Sequence, residues 1–157
     1  MKQKIIHFIL IIILAITVCS CDWLERPEYS FPNTDQAIKS GLIEKGWIPK
    51  GLLPQSAKDI QVNYDMDTNE TWVAFHLEDS KTVSGFANKL RQAPMELVLP
   101  RANRSKSLSW WPLDLNNSVD FSTLHSKYLF YRFPNGHDGF IAIQVEQKSV
   151  YFWSLGN

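Results

Sequence analysis

This chain of 157 residues has few cysteines and no net side-chain charge. It has two cysteines, and its 16 basic residues balance its 16 acidic ones. A balanced charge argues against nucleic-acid binding, which normally needs a basic excess. The length predicts one domain, and a hydrophobic content of 45% is too high for a disordered chain.

A basic start and a short apolar run occupy the N-terminus. Residues 1–4 are Met-Lys-Gln-Lys, and residues 5–18 are almost entirely apolar. This run of 14 residues is too short for a membrane-spanning helix, which needs about 20. Its length and basic flank are typical of a cleaved secretory signal.

The end of this run, Val18-Cys19-Ser20-Cys21, resembles the lipobox of bacterial lipoproteins. The resemblance implies a signal peptide at residues 1–20, cleavage before Cys21, and acylation of Cys21 with lipid that includes palmitate. The mature chain of 137 residues would have no free thiol, which excludes a disulfide, a catalytic cysteine and a cysteine-ligated zinc site. Asp22 resembles the retention signal of enteric-type bacteria, so we expect an inner-membrane anchor that faces the periplasm. An ordinary secretory signal is the alternative.

The remaining sequence predicts a tether at residues 21–32 and a single α+β domain at residues 33–157. Helices are predicted at residues 34–45 and 80–93, because Asn33 suits the N-cap position of the first and either Asp79 or Ser80 suits that of the second. Strands are predicted where apolar residues alternate or cluster, at residues 60–64, 72–77, 95–99, 128–133, 140–146 and 150–155. We expect an antiparallel sheet of about five strands with one or two helices packed on one face. Residues 101–126 are predicted to be irregular, with a helical turn at residues 120–125.

Histidines and acidic residues form no recognisable catalytic or metal motif. The three histidines of the mature chain, His76, His125 and His137, lie outside any G-x-S-x-G or H-E-x-x-H context. The D-x-D-x-N-E loop at Asp65 begins like a calcium loop but lacks the required glycine and bidentate glutamate. We therefore predict no metal, no cofactor and no enzymatic activity. A hydrolase that uses His76 or His137 is an alternative.

A tryptophan pair beside basic residues is the best candidate for a binding surface. Residues 89–106 carry a net charge of +4, and a Trp-Trp pair follows them in the segment without a clear pattern. The candidate residues are Arg101, Arg104, Lys106, Trp110 and Trp111. Tryptophan and arginine often anchor protein partners, and basic residues also suit an anionic bilayer surface. The alternative is that the tryptophans fill the core and the charges are solvated.

Two short motifs are similar to a pattern in small bacterial envelope proteins. They are LP-x-SA at residues 53–57 and DTN-x-x-W at residues 67–72. The resemblance implies no activity and no catalytic residue. It implies one structural unit, in which Asn69 shapes a hairpin turn and Trp72 packs on the LP-x-SA segment.

These observations favour a lipoprotein of the bacterial envelope that is anchored at Cys21 and binds an unidentified protein partner. Such a protein would be an accessory factor of assembly or immunity type. The alternative is a binder of envelope carbohydrate or peptidoglycan, with aromatic rings as stacking platforms. No nucleic-acid partner is expected. Both functions need accessible rings at Trp110 and Trp111, whereas a core role needs buried ones.

Overall fold

The central element of the fold is one antiparallel sheet. The computed structural model describes residues 27–102, 108–116, 121–134 and 139–156. The strands of the sheet are β1 (Glu28–Asn33), β2 (Lys58–Asp65), β3 (Glu70–His76), β4 (Arg91–Gln92), β5 (Tyr128–Arg132), β6 (Gly139–Gln144) and β7 (Ser149–Ser154). The helices are α1 (Thr34–Lys39), α2 (Ser80–Ala87), α3 (Met95–Ala102), α4 (Leu113–Asn116) and α5 (Phe121–Lys127). The strand order is β1-β2-β3-β7-β6-β5-β4. The predicted α+β class with an antiparallel sheet is confirmed.

Both edges of the sheet differ from the prediction. β1 begins at Glu28, inside the segment 21–32 that we expected to be tether, and β4 has only two residues. Tyr29 and Phe31 of β1 are half-buried on one face, while the residues between them are exposed. Pro32 fits here because β1 is an edge strand, where a missing N–H costs no ladder hydrogen bond.

Residues 95–99 form the start of helix α3, so the strand predicted there is wrong. Met95, Val98 and Ala102 are buried, whereas Glu96 and Leu97 are exposed. Burial at intervals of three and four residues is the helical period. A five-residue apolar run does not distinguish the two structures by itself.

The two predicted N-caps are confirmed. The Asn33 side chain accepts a hydrogen bond from the Gln36 backbone N–H at 3.0 Å, and Asp79 accepts one from Thr82 at 2.7 Å. The bond from Thr82 lowers the pKa of the Asp79 carboxyl below its ordinary value. Both helices end earlier than predicted, and Gly41 with φ of 75° follows α1.

The sheet is covered on both faces, not on one. The first, which we call the aliphatic face, packs Val73, Phe75 and Phe152 against α1, α2 and the connection between α1 and β2. The second, which we call the tryptophan face, packs Trp72 and Trp153 against α3, α4 and α5. Successive residues of β3 and β7 alternate between these two cores, as the strand period of two requires. Among the described residues, no helix combines the length and apolarity needed to cross a membrane.

Candidate functional site

An open cleft of about 500 Å³ lies on the tryptophan face. It is bounded by the segment that leads into α4, by the start of β5, and by β6, β7 and the turn between them. Its principal lining residues are Trp110, Leu113, Asp114, Lys127, Tyr128 and Tyr151. The cleft is also lined by Trp111, Gln144 and Gln147. The cleft therefore combines indole and phenol rings with one ion pair and two amides.

The two neighbouring tryptophans occupy different environments. Trp110 is half-buried, and its Nε1 donates to the Glu28 carboxylate at 3.3 Å. Trp111 is 2% exposed and packs edge to face on Tyr151 and Trp153, each with a centroid distance of 5.7 Å. The Trp111 ring is thus part of the core, and a partner could touch the pair only through Trp110.

The tryptophan core contains buried indole N–H groups. The indole Nε1 atoms of Trp72, Trp111 and Trp153 are buried and have no hydrogen-bond partner among the described residues. Trp111 and Trp153 meet at an interplanar angle of 89°. Edge-to-face geometry brings the positive edge of one ring onto the negative face of the other, which offsets part of the cost of burying these groups.

Asp114 organises the polar side of the cleft. Its carboxylate accepts a hydrogen bond from the Tyr128 hydroxyl at 2.9 Å and forms an ion pair with Lys127. Burial and this hydrogen bond raise the pKa of Tyr128, and burial raises the pKa of Tyr151. Both hydroxyls stay protonated at neutral pH, and the proton of Tyr128 is donated to Asp114.

The rim of the cleft presents an apolar side chain to solvent. Leu113 is 75% exposed, the largest exposed fraction among the large hydrophobic residues described. It lies next to Asp114 at the start of α4. On the opposite wall, Gln144 is 5% exposed and Gln147 is exposed. An exposed leucine beside a half-buried tryptophan is the type of pair that protein partners cover.

A serine and a histidine meet next to the cleft, but their geometry does not match a nucleophile and its base. The Ser149 Oγ lies 3.1 Å from His76 Nδ1. The same Oγ also lies 3.3 Å from the Gln147 carbonyl, so two acceptors compete for one hydroxyl proton. Ser149 is 1% exposed, whereas a nucleophile must be reachable by its substrate. No carboxylate hydrogen bonds to His76 in the described part of the chain. His125 is exposed on α5, and His137 lies outside the described residues.

The acidic hairpin turn between β2 and β3 uses its side chains for its own structure. Asp65 Oδ1 accepts from the backbone N–H of Asp67 at 3.0 Å and of Thr68 at 3.2 Å. Asn69 has φ of 57°, so its predicted role in shaping the turn is confirmed. Within the described ranges, no group of three or more His, Cys, Asp or Glu residues could hold a metal ion.

Trp72 does not pack on the LP-x-SA segment, as the sequence resemblance implied. Trp72 belongs to the tryptophan core, whereas Ala57 belongs to the aliphatic core on the other side of the sheet and Leu53 packs against that core. The reason is strand parity, because Val73 and Phe75 of the same strand already face the LP-x-SA segment.

Several predicted site residues lie beyond what the structure describes. Arg101 lies in α3, while Arg104, Lys106 and Cys21 lie outside the described residues. Residues 103–107 are flanked by Ala102 and Leu108, which are both buried in the tryptophan core. The basic part of the candidate surface stays a prediction, because the side chains of Arg101, Arg104 and Lys106 lie outside what the structure describes. Among the predicted residues, the structure brings only Trp110 and Trp111 to the cleft.

The sequence analysis missed the other cleft residues. Asp114, Lys127, Tyr128 and Tyr151 are far apart in the chain and carry no motif. Asp114 and Lys127 lie in or next to the segment without periodicity. Among the residues that line the cleft, only Trp110 and Trp111 were predicted as binding residues.

Comparison with known proteins finds a similarity to one domain family in the first half of the chain. Residues 25–76 are similar to the YbbD head domain. The match covers a third of the chain and indicates a bacterial, envelope-associated family, which agrees with the predicted location. It spans β1, α1, β2 and β3, and it includes both short motifs of the sequence analysis. The cleft lies outside it. No curated protein and no solved structure matches the chain.

Proposed function

We propose that this chain is a lipid-anchored, non-enzymatic binding module of the bacterial envelope, and that its cleft holds a segment of a protein partner. The anchor is Cys21, and in an enteric-type host Asp22 would keep the protein in the inner membrane, facing the periplasm. The role is that of an accessory protein of assembly or immunity type.

The observation that carries this proposal is the pairing of Trp110 with Leu113 at one opening. The cleft of about 500 Å³ is large enough for one or two apolar side chains of a partner. Half-buried Trp110 provides an aromatic wall, and Leu113 at 75% exposure gains contact area only when a partner covers it. Asp114 and Lys127 supply charges at the rim, where they fix orientation more than affinity.

The basic residues add an electrostatic contribution to the proposal. Arg101, Arg104 and Lys106 precede the cleft segment in the chain. They favour a partner with an acidic patch, because opposite charges accelerate encounter. Replacing Arg104 and Lys106 with glutamate should then slow association and reduce its salt dependence.

The test is capture of a partner by matched variants. The mature protein in mild detergent is immobilised, solubilised envelope is passed over it, and retained proteins are identified by mass spectrometry. We expect Leu113→Asp to weaken capture of the retained protein about 30-fold, since loss of a hot spot costs about 2 kcal/mol. Leu97→Asp is the control, because Leu97 is also exposed, at 59%, but lies outside the cleft lining. Equal capture by wild type and Leu113→Asp would contradict the proposal.

The amides give a specific reason to keep carbohydrate as a second candidate. Gln144, Gln147 and the hydroxyl of Tyr151 lie around the aromatic wall, and sugars are bound by rings together with planar polar groups. Co-sedimentation with protein-free cell wall, weakened by Gln144→Ala and by Trp110→Ala, would support this function. Absence of the protein from the sedimented wall would exclude it.

A further inference from the structure

Four aromatic side chains form a continuous strip at the β1 edge of the aliphatic face. Tyr29 and Phe31 belong to β1, Tyr64 to the end of β2, and Trp47 to the connection after α1. The rings of Trp47 and Tyr64 stack at 4.8 Å and 10°, and Tyr29 lies 5.9 Å from Trp47 and 6.4 Å from Phe31. All four side chains are half-buried, so part of each ring meets solvent. We call these four residues the aromatic strip.

The aromatic strip lies where the chain enters the domain. The backbone N–H of Tyr64 lies 3.5 Å from the carbonyl oxygen of Pro27, to which it donates. The next pair in the register joins Glu28 to Asn63. Pro27 therefore lies beside the stack of Trp47 and Tyr64.

The chain between this point and the proposed anchor is short. Six peptide units separate Cys21 from Pro27. A fully extended chain advances at most about 3.6 Å per residue, so Pro27 lies within about 22 Å of the lipidated residue. Because Trp47 and Tyr64 lie beside Pro27, the tether lets the aromatic strip reach the bilayer surface. Its length alone does not select a face of the sheet, because Trp110 on the tryptophan face hydrogen bonds to Glu28, the residue after Pro27.

The composition of the strip suits a membrane–water interface. Tryptophan and tyrosine concentrate there, because their rings are apolar and their N–H or O–H groups are polar. The Lys45 Nζ lies 5.1 Å from the centroid of the Trp47 ring, where an ammonium group could meet lipid phosphate. Two exposed apolar side chains, Ile38 at 43% and Met66 at 44%, follow β1 and Tyr64 closely in the chain.

We propose that the aromatic strip rests on the bilayer surface and sets the orientation of the domain, with Trp47 at the level of the lipid headgroups. This inference rests on the proposed anchor at Cys21 and goes beyond it. The anchor keeps the domain near the membrane, and the strip determines which side of the domain faces lipid. The cleft, on the opposite face of the sheet, stays accessible to a partner.

Fluorescence quenching by brominated lipid tests this orientation. The full-length, lipid-modified protein is reconstituted in vesicles of phosphatidylethanolamine and phosphatidylglycerol, with and without brominated acyl chains. All variants carry Trp23→Phe, because Trp23 lies two residues after Cys21 and the anchor alone would bring it to lipid. We expect Trp47→Phe to remove most of the bromine-dependent quenching. The matched variant Trp110→Phe, on the tryptophan face, should leave it unchanged.

Two outcomes would overturn the inference. One is quenching that persists in Trp47→Phe, and the other is quenching that disappears in Trp110→Phe. Trp47-dependent sedimentation with cell wall, in place of lipid quenching, would also overturn it and assign the strip to glycan. If Trp47→Phe does not fold, a polarity-sensitive fluorophore on Lys45→Cys replaces it. That probe should shift to shorter wavelength on vesicles, while the same probe on Leu97→Cys should not.

Flotation of the vesicles separates failure of the orientation from failure of the anchor. Protein that does not float with the vesicles contradicts lipidation at Cys21 and the orientation that rests on it. Protein that floats without quenching at Trp47 contradicts the orientation alone and leaves the anchor intact.

Discussion

The two faces of the sheet differ in what covers them and in what is left open. On the aliphatic face, Val73, Phe75, Ile141 and Phe152 are at most 1% exposed beneath α1, α2 and a long connection. On the tryptophan face, beneath α3, α4 and α5, three indoles are buried without hydrogen-bond partners in the described residues, and the cleft remains open. The comparison indicates that both faces contribute a stabilising core, and that the tryptophan face adds an opening suited to recognition.

The largest expected effect comes from a cavity in the aliphatic core. Phe152 is fully buried and packs edge to face on Phe133 at 5.6 Å, and a Cβ on Gly139 would overlap its ring. We expect Phe152→Ala to lower the free energy of unfolding by about 3–5 kcal/mol. Urea unfolding followed by circular dichroism measures this loss.

The neighbouring residue on the same strand provides the control for this variant. Tyr151 points to the opposite face and lines the cleft. Tyr151→Phe removes one hydroxyl and leaves the ring packing, so its effect on unfolding should be much smaller. Similar losses in the two variants would show that the loss in Phe152→Ala does not come from the cavity that its missing ring leaves.

A smaller effect is expected from the hydrogen bond that closes the polar side of the cleft. Tyr128 is 2% exposed and donates to Asp114. We expect Tyr128→Phe to lower the free energy of unfolding by about 1–3 kcal/mol at neutral pH, because a charge-assisted hydrogen bond is lost. Urea unfolding at pH 7 measures the loss, and an unchanged midpoint would show that this bond is not a stabilising element.

The same variant should also change the response to alkaline pH. Burial raises the pKa of Tyr128 above its ordinary value of 10.0. As pH rises through that value, the unfolded chain releases the phenolic proton while the folded chain keeps it, so the wild type loses stability. Tyr128→Phe should lose less between neutral pH and about pH 11. The free energy of unfolding of Tyr128→Phe should still fall with pH to some extent, because burial also raises the pKa of Tyr131 and Tyr151. An identical fall of the free energy of unfolding with pH in the two proteins would contradict the burial of Tyr128.

The aliphatic face was largely predictable from sequence because its signals are local. The Asn33 and Asp79 caps, the alternation in β2 and β3, and the apolar connection with Ile48 and Leu52 all lie within short windows. Only β1 was missed there, since a proline-containing edge strand has almost no pattern of its own.

The tryptophan face was poorly predictable because its order comes from contacts between distant residues. Residues 95–99 were predicted as a strand although they begin α3, and α4 has only four residues. Asp114 becomes part of a site only through Lys127 and Tyr128, which are 13 and 14 positions away. No local pattern separates a half-buried Trp110 from a buried Trp111, because the difference depends on Trp153 and Tyr151 of β7.

The most direct test of the account compares alanine variants of the two adjacent tryptophans. We predict that Trp111→Ala lowers the free energy of unfolding by about 3–5 kcal/mol, because its ring lies in the tryptophan core. Trp110→Ala should change it by about 1 kcal/mol at most and should still abolish capture of the envelope partner. Equal destabilisation by the two variants, or full capture by Trp110→Ala, would contradict the assignment of the cleft as the binding site.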